Sequence, residues 1–145
     1  MTTVSQILQH KGYDICSIAP DATVYSALEL MAAKNIGAVL VMEGGNLVGI
    51  MSERDYARKV ILKSRFSKDT LVREIMTESV VCVRPEQSIE ECMALMTSKH
   101  IRHLPVIKEN KVVGVVSIGD VVRAVIADQQ FIIEQLENYI TGKRA

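Results

Sequence analysis

Two stretches of the chain, GIMSERD at Gly49–Asp55 and GVVSIGD at Gly114–Asp120, follow one pattern: glycine, two apolar residues, serine, two variable residues, aspartate. Each joins an apolar, strand-like run to a run with helical spacing, so the serine stands where a helix begins. A serine there accepts a hydrogen bond from the amide three residues on, and an acidic residue at that third position reaches back to the serine's own amide. The pair is then a capping box. The same placement also suits a ligand, because the free amides and positive end of a helix attract phosphate. Glycine keeps the preceding strand slim enough for close approach, and a carboxylate accepts two hydrogen bonds from the neighbouring hydroxyls of a ribose. Aspartate on the sugar and serine near the phosphate describe a nucleoside phosphate. A helix cap and a ligand clamp do not exclude each other.

The repetition extends well past these seven residues. A shift of 65 aligns Pro20–Val60 with Pro85–Val125 without a gap and gives twelve identities in the 41 aligned positions, among them Pro20 with Pro85, Met31 with Met96 and Arg58 with Arg123. Upstream, VSQIL from Val4 answers VREIM from Val72 at a shift of 68. Duplication is the simplest account, and periods of this kind decide a fold before any single element does. Within each copy a short β-prone run (CSIAP, VCVRP) ends at proline. Thr23 or Ser88 then caps a helix whose apolar positions recur at spacings of four and three. Two apolar runs follow, split by Glu43–Asn46 or by Glu109 and Asn110, as in a hairpin. A last helix starts at Ser52 and runs through ERDYARKVIL, or at Ser117 and through IGDVVRAVIA. Each copy is thus strand, helix, strand, strand, helix.

This places the chain in the α/β (α+β) class. Two β-α-β-β-α repeats are expected to pack about a pseudo-two-fold axis, because one repeat alone leaves an apolar sheet face uncovered. The expected boundaries are 1–68 for the first repeat, 69–127 for the second, and 128–145 for an amphipathic C-terminal helix and tail carrying DQQFIIEQLENYI. Apolar helix surface left over on so small a unit points to a homodimer.

Seventeen basic and 17 acidic residues leave no net charge, so the long-range field that draws proteins to nucleic acid or anionic membranes is missing. With no Trp and two Phe, base stacking has little to work with. Apolar runs such as Ile36–Met42 are too short to span a bilayer. Cys16, Cys82 and Cys92 form no C-x-x-C pair and fit a reducing compartment, so the chain is expected to be soluble and cytoplasmic. Cys92, His100 and His103 match no zinc spacing, and no metal is expected. Nor is catalysis: no nucleophile elbow, P-loop or base-activated nucleophile is present.

Taken together, the duplicated β-α-β-β-α pattern, the two serine–aspartate stretches, IMT at Ile75–Thr77 and KHIRHLPV at Lys99–Val106 resemble CBS domains, and the pair resembles a Bateman module of the stand-alone bacterial type. The resemblance covers Val4 to about Ala127. It implies a regulatory module binding an adenosine-bearing ligand: AMP, ADP, ATP or NAD(H), with S-adenosylmethionine ranked behind them. By that resemblance Asp55 and Asp120 take ribose hydroxyls, Ser52 and Ser117 lie at the phosphate, and adenine contacts backbone near Ile15, Cys16, Val80 and Val81. Arg102 and His103 match the family's basic pair ahead of LPV and would touch phosphate. In the first copy Gly37 and Ala38 occupy those positions, and Arg54 compensates. The two sites should therefore differ. Signalling would be by conformational change toward a separate protein effector, with no catalytic step. The alternative is a ligand-free dimerisation scaffold, in which the serine–aspartate stretches merely cap helices.

Overall fold

In the computed structural model, which describes residues 2–142, the chain runs α1 (Val4–Lys11), β1 (Ser17–Ile18), α2 (Val24–Lys34), β2 (Ala38–Glu43), β3 (Asn46–Ser52), α3 (Glu53–Lys59), α4 (Val72–Ile75), α5 (Ile89–Lys99), β4 (His103–Lys108), β5 (Lys111–Ser117) and α6 (Ile118–Thr141). The helix starts follow from capping chemistry. Thr3, Thr23, Ser52, Ser88 and Ser117 each accept a hydrogen bond from the amide three residues on, which satisfies one of the donors a helix start leaves unpaired. Helices α2 and α5 stop at Asn35 and His100, both in the left-handed region at φ 52° and 54°, a conformation that ends a helix.

The hairpins are two-residue turns. Gly44 and Gly45 turn β2 into β3 with φ of 59° and 81°, and the second copy does the same with Glu109 and Asn110 at 52° and 64°. Positive φ at both central residues matches the twist of the flanking strands. Strand β2 pairs antiparallel with β3 and parallel with β1, while β4 and β5 form a two-stranded sheet.

The second copy lacks the leading strand expected at VCVRP; Val83 makes an isolated parallel bridge with Val106 instead. A single residue accounts for the loss. In the first copy the Leu40 amide donates to the Cys16 carbonyl at 3.1 Å. The residue aligned with Leu40 is Pro105, which has no amide proton to give. The last helices also differ from expectation. Helix α3 stops at Lys59 and yields to a 3-10 turn over Ile61–Lys63, whereas α6 continues unbroken from the second repeat through the tail to Thr141. The C-terminal segment is therefore the end of one 24-residue helix, since nothing between Val121 and Thr141 interrupts the backbone hydrogen bonding.

The chain forms two compact units, and each takes its leading helix from ahead of the other repeat. One unit gathers Asp14–Val81 and Glu109–Val112; the other draws on the stretch up to Tyr13, Cys82–Lys108 and the stretch from Val113 onward. Within the first, the Val72 and Arg73 amides donate to the carbonyls of Ala22 and Pro20. Within the second, the Val4 and Ser5 amides donate to Gln87 and Pro85. The two sets of bonds are counterparts under the sequence repeat. The core of the first unit is Val24, Ala27, Met31, Val39, Val41, Met51, Val60, Val72 and Ile75. In the second, Leu8, Val83, Ile89, Cys92, Met96, Leu104, Val106, Val116 and Val121 are buried. Helices α4 and α1 thus supply apolar residues that each unit's own repeat does not encode.

Candidate functional site

Strand β3 ends in extended backbone at Ser52, with φ −115° and ψ 166°, and this brings the Ser52 side chain over the first turn of α3. Its Oγ accepts from the Asp55 amide at 3.2 Å. The Asp55 Oδ2 accepts from the Ser52 amide at 2.9 Å and from the Ser52 hydroxyl at 3.1 Å. The other carboxylate oxygen lies 3.1 Å from the Lys59 ammonium and accepts from the Thr77 hydroxyl at 3.3 Å. Asp55 is buried, with 9% of its surface exposed.

The second unit repeats the cap with a different surround. The Ser117 Oγ accepts from the Asp120 amide at 3.2 Å, and Asp120 Oδ2 accepts from the Ser117 amide at 2.8 Å. That same oxygen takes a bond of 2.6 Å from the Lys11 ammonium, which also donates to the Val115 carbonyl at 2.8 Å. Arg123 donates to Asp120 Oδ1 at 2.7 Å. Burial alone would raise the Asp120 pKa. The hydrogen bonds from Lys11 and the Ser117 amide, together with the Lys11 charge, outweigh it and hold the carboxyl below its ordinary value near 3.8.

The glycines of both stretches serve internal packing. A Cβ on Gly49 would lie 2.7 Å from Met76 Sδ and 3.1 Å from the Thr77 carbonyl oxygen; one on Gly114 would lie 2.7 Å from a Leu8 methyl. The expectation was that these glycines clear room for a ligand. What approaches them is the chain's own leading helix segment, which in turn positions Thr77 beside Asp55 and Lys11 beside Asp120.

Of the other sequence-predicted residues, Ile15, Cys16, Arg54, Val80 and Val81 belong to the same unit as Asp55, and Arg102 and His103 to the unit of Asp120. Ile15 is exposed, while Cys16, Val80 and Val81 are half-buried. Arg54 is an exposed second residue of α3, and His103 opens β4 half-buried. The Arg102 carbonyl accepts from the Ile118 amide at 2.8 Å, as the Gly37 carbonyl accepts from Glu53. Arg102 therefore stands at the start of α6, and Gly37 at the start of α3. A groove of about 300 Å³, lined by Leu28, Met31, Ala32, Asn35, Ile36, Gly37 and Glu53, contains none of the residues expected to touch ligand. Among the described residues no group of three or more His, Cys, Asp or Glu is placed to hold a metal.

Four residues that sequence reasoning missed meet the two aspartates: Lys59 and Arg123 on their own helices, Thr77 and Lys11 from the leading segments. Spacings of four and three could have flagged the first two. Nothing local could have flagged the last two.

A repeated strand, cap and aspartate in two units, each completed by the other repeat's leading helix, is a specific architecture. The model of the CBS domain matches residues 4–62 and again 72–127. The chain belongs to the CBS-domain family. This CBS pair is 43% identical over 150 residues to the mitochondrial CBS domain-containing protein CBSX3 of Arabidopsis thaliana, covering 97% of the chain and 73% of that relative. Among solved structures, a CBS-domain protein from Burkholderia ambifaria is 53% identical with a TM-score of 0.85, over 88% of this chain and 96% of that one. CBS pairs are regulatory ligand-binding modules. They occur as stand-alone proteins and also within enzymes: inosine-5'-monophosphate dehydrogenase of Methanocaldococcus jannaschii is 30% identical over 112 residues, a match spanning 76% of this chain and 21% of the enzyme. No helix among the described residues of this CBS pair is long and apolar enough to cross a membrane.

Proposed function

We propose that this CBS pair binds an adenine nucleotide (AMP, ADP or ATP) or NAD(H), and reports energy or redox state by a change in conformation, with no catalytic step. One observation carries the proposal: in both units a buried carboxylate is oriented by the helix cap and also meets side-chain cations that water reaches, Lys59 at Asp55 and Arg123 with Lys11 at Asp120. Lys59 is 44% exposed and Arg123 73% exposed. Such donors exchange readily, and the two hydroxyls of a ribose can take their place on a preorganised acceptor. Asp55 and Asp120 then hold the sugar, with Ser52 and Ser117 toward the phosphate. Adenine lies against backbone near Ile15, Cys16, Val80 and Val81, and Arg54, Arg102 and His103 meet phosphate. S-adenosylmethionine, which lacks phosphate, ranks behind.

The readout we propose is a homodimer acting on a separate protein effector in the cytoplasm, where the three free thiols stay reduced. The exposed face of α6 supports a second copy as occupant. Val122, Ile126, Ile133, Leu136 and Ile140 are all exposed and fall on one seam: Ile126, Ile133 and Ile140 recur every seven residues, as do Val122, Gln129 and Leu136. Isoleucine on one line, with Val122, Gln129 and Leu136 on the other, has the heptad spacing of a helix that pairs with a second helix.

Thermal melts test the proposal. A ligand at one hundred times its dissociation constant should stabilise the fold by about 2.7 kcal/mol, and the double variant Asp55→Ala, Asp120→Ala should lose that gain. A second reading, the ligand-free scaffold, is favoured by the completeness of both capping boxes. Flat melts across AMP, ATP, NADH and S-adenosylmethionine would select it, and turnover of any of them would place the protein among enzymes.

A further inference from the structure

We propose that the Asp120 site selects a nucleoside that carries phosphate over one that does not, because Lys11 must be given a new anion when the ribose displaces it. This rests on the nucleotide-binding function proposed above and assigns its two sites different ligands.

Among the described residues, the Ser117 amide, Lys11 and Arg123 donate to Asp120, with the Ser117 hydroxyl beside them, and the side chain is only 5% exposed. Two ribose hydroxyls therefore reach this carboxylate by displacing Lys11 from Oδ2 and Arg123 from Oδ1. Arg123 is 73% exposed and returns to water at little cost. Lys11 is different. It is 34% exposed, and its bond to the Val115 carbonyl keeps the ammonium beside the site after the carboxylate is lost. An ammonium held in a half-buried place without its partner is costly. A 5′-phosphate lies within a lysine's reach of the hydroxyls of its own ribose, so AMP returns an anion where adenosine returns none. Exposed Arg102, whose carbonyl is bonded at the start of α6, adds positive charge to the same end of the unit.

The Asp55 site makes no such demand. Thr77, a neutral hydroxyl, stands where the leading segment brings Lys11 in the other unit. The residue aligned with Arg102 is Gly37, followed in space by acidic Glu53. Lys59, which pairs with Asp55 Oδ1, is likewise anchored to a carbonyl, that of Ile75 at 2.9 Å, but at 44% exposed it is the more solvated of the two lysines.

Calorimetric titration with adenosine and with AMP tests this, using Asp55→Asn to isolate the Asp120 site and Asp120→Asn to isolate the other. At the Asp120 site AMP should bind about 10- to 100-fold tighter than adenosine, the range of one charge-assisted contact. Lys11→Met should collapse that ratio by strengthening adenosine and weakening AMP, while Lys11→Arg keeps it. At the Asp55 site the ratio should be smaller and indifferent to Lys11. A ligand-free readout accompanies these: the Asp120 carboxyl, followed by carbon NMR, should titrate at higher pH in Lys11→Met. Binding with an unchanged ratio overturns the phosphate selectivity alone. An unmoved Asp120 titration overturns the ion pair it depends on. Failure of every variant to bind either nucleoside, with the titration moving as expected, overturns the nucleotide proposal and this one with it.

Discussion

Lys11 precedes Asp120 by 109 positions, yet its ammonium lies 2.6 Å from that carboxylate. Two bonds hold it, one to the charge and one to the Val115 carbonyl, so the N-terminal helix is fastened to the start of α6 by a contact no local pattern encodes.

The pH dependence of stability follows from this pair. Asp120 has a folded-state pKa below its ordinary value near 3.8, so the unfolded chain takes up the proton first. Its contribution is complete above that ordinary value and is lost as pH falls through the lower, folded one. Lys11→Met should therefore cost about 1–2 kcal/mol at neutral pH, reduced from a fully buried charged bond because Lys11 is partly exposed. Urea unfolding of both proteins, repeated toward about pH 3, should find the difference shrinking as the carboxylate protonates. A difference constant with pH would detach Asp120 from it.

Gly49→Ala and Gly114→Ala should each destabilise by about 1–3 kcal/mol, the usual cost of overpacking. At Gly114 the added methyl meets Leu8, and at Gly49 it meets Met76 and the Thr77 carbonyl oxygen. The Gly49 change should be the harsher, since backbone cannot step aside as a side chain can. Denaturation midpoints check both values and their order.

Ser88→Ala removes a cap on α5 that stands apart from either aspartate. It should lower stability by about 1 kcal/mol and leave any nucleotide affinity unchanged. Ser117→Ala should cost a similar amount and weaken binding as well. A melt and a titration on each variant separate cap from clamp.

Cys92 is buried on α5, and burial, then the charges of Glu91 and Glu90, push its thiol up to about 11. The thiolate is the reactive form. A disulfide reagent at mildly alkaline pH should label Cys16 and Cys82 ahead of Cys92, whose labelling should await unfolding. Prompt reaction at Cys92 would contradict its burial.

Replacing Ile133 and Leu136 together by Glu puts charge on the exposed seam of α6. If the seam joins two copies, sedimentation should find monomer where the natural sequence gives dimer, with the fold intact because neither side chain is buried in its own chain. A monomeric natural sequence would end that assignment.

The elements and caps were legible because they rest on neighbours in the chain. Thr23, Ser52, Ser88 and Ser117 act on amides three residues away, and helix periodicity needs about four. The duplicated serine–aspartate stretch announced the architecture for the same reason. Expectation failed where a distant partner had the decisive part. Val83 could not extend into a strand because Pro105, 22 positions on, offers no amide. Gly49 and Gly114 were assigned to a ligand because Met76 and Leu8, which fill the space, lie far along the chain.

By itself the sequence determined the duplication, the helix and hairpin of each copy, the helix starts and the two capped aspartates, since hydrogen bonds and apolar spacing over three or four residues are enough to specify each. Only the tertiary structure decided that each unit borrows its leading helix from ahead of the other repeat, and that Asp120 therefore faces an ammonium where Asp55 faces a hydroxyl. The charge around a buried carboxylate depends on which side chains arrive in space, and chain proximity does not encode that arrival.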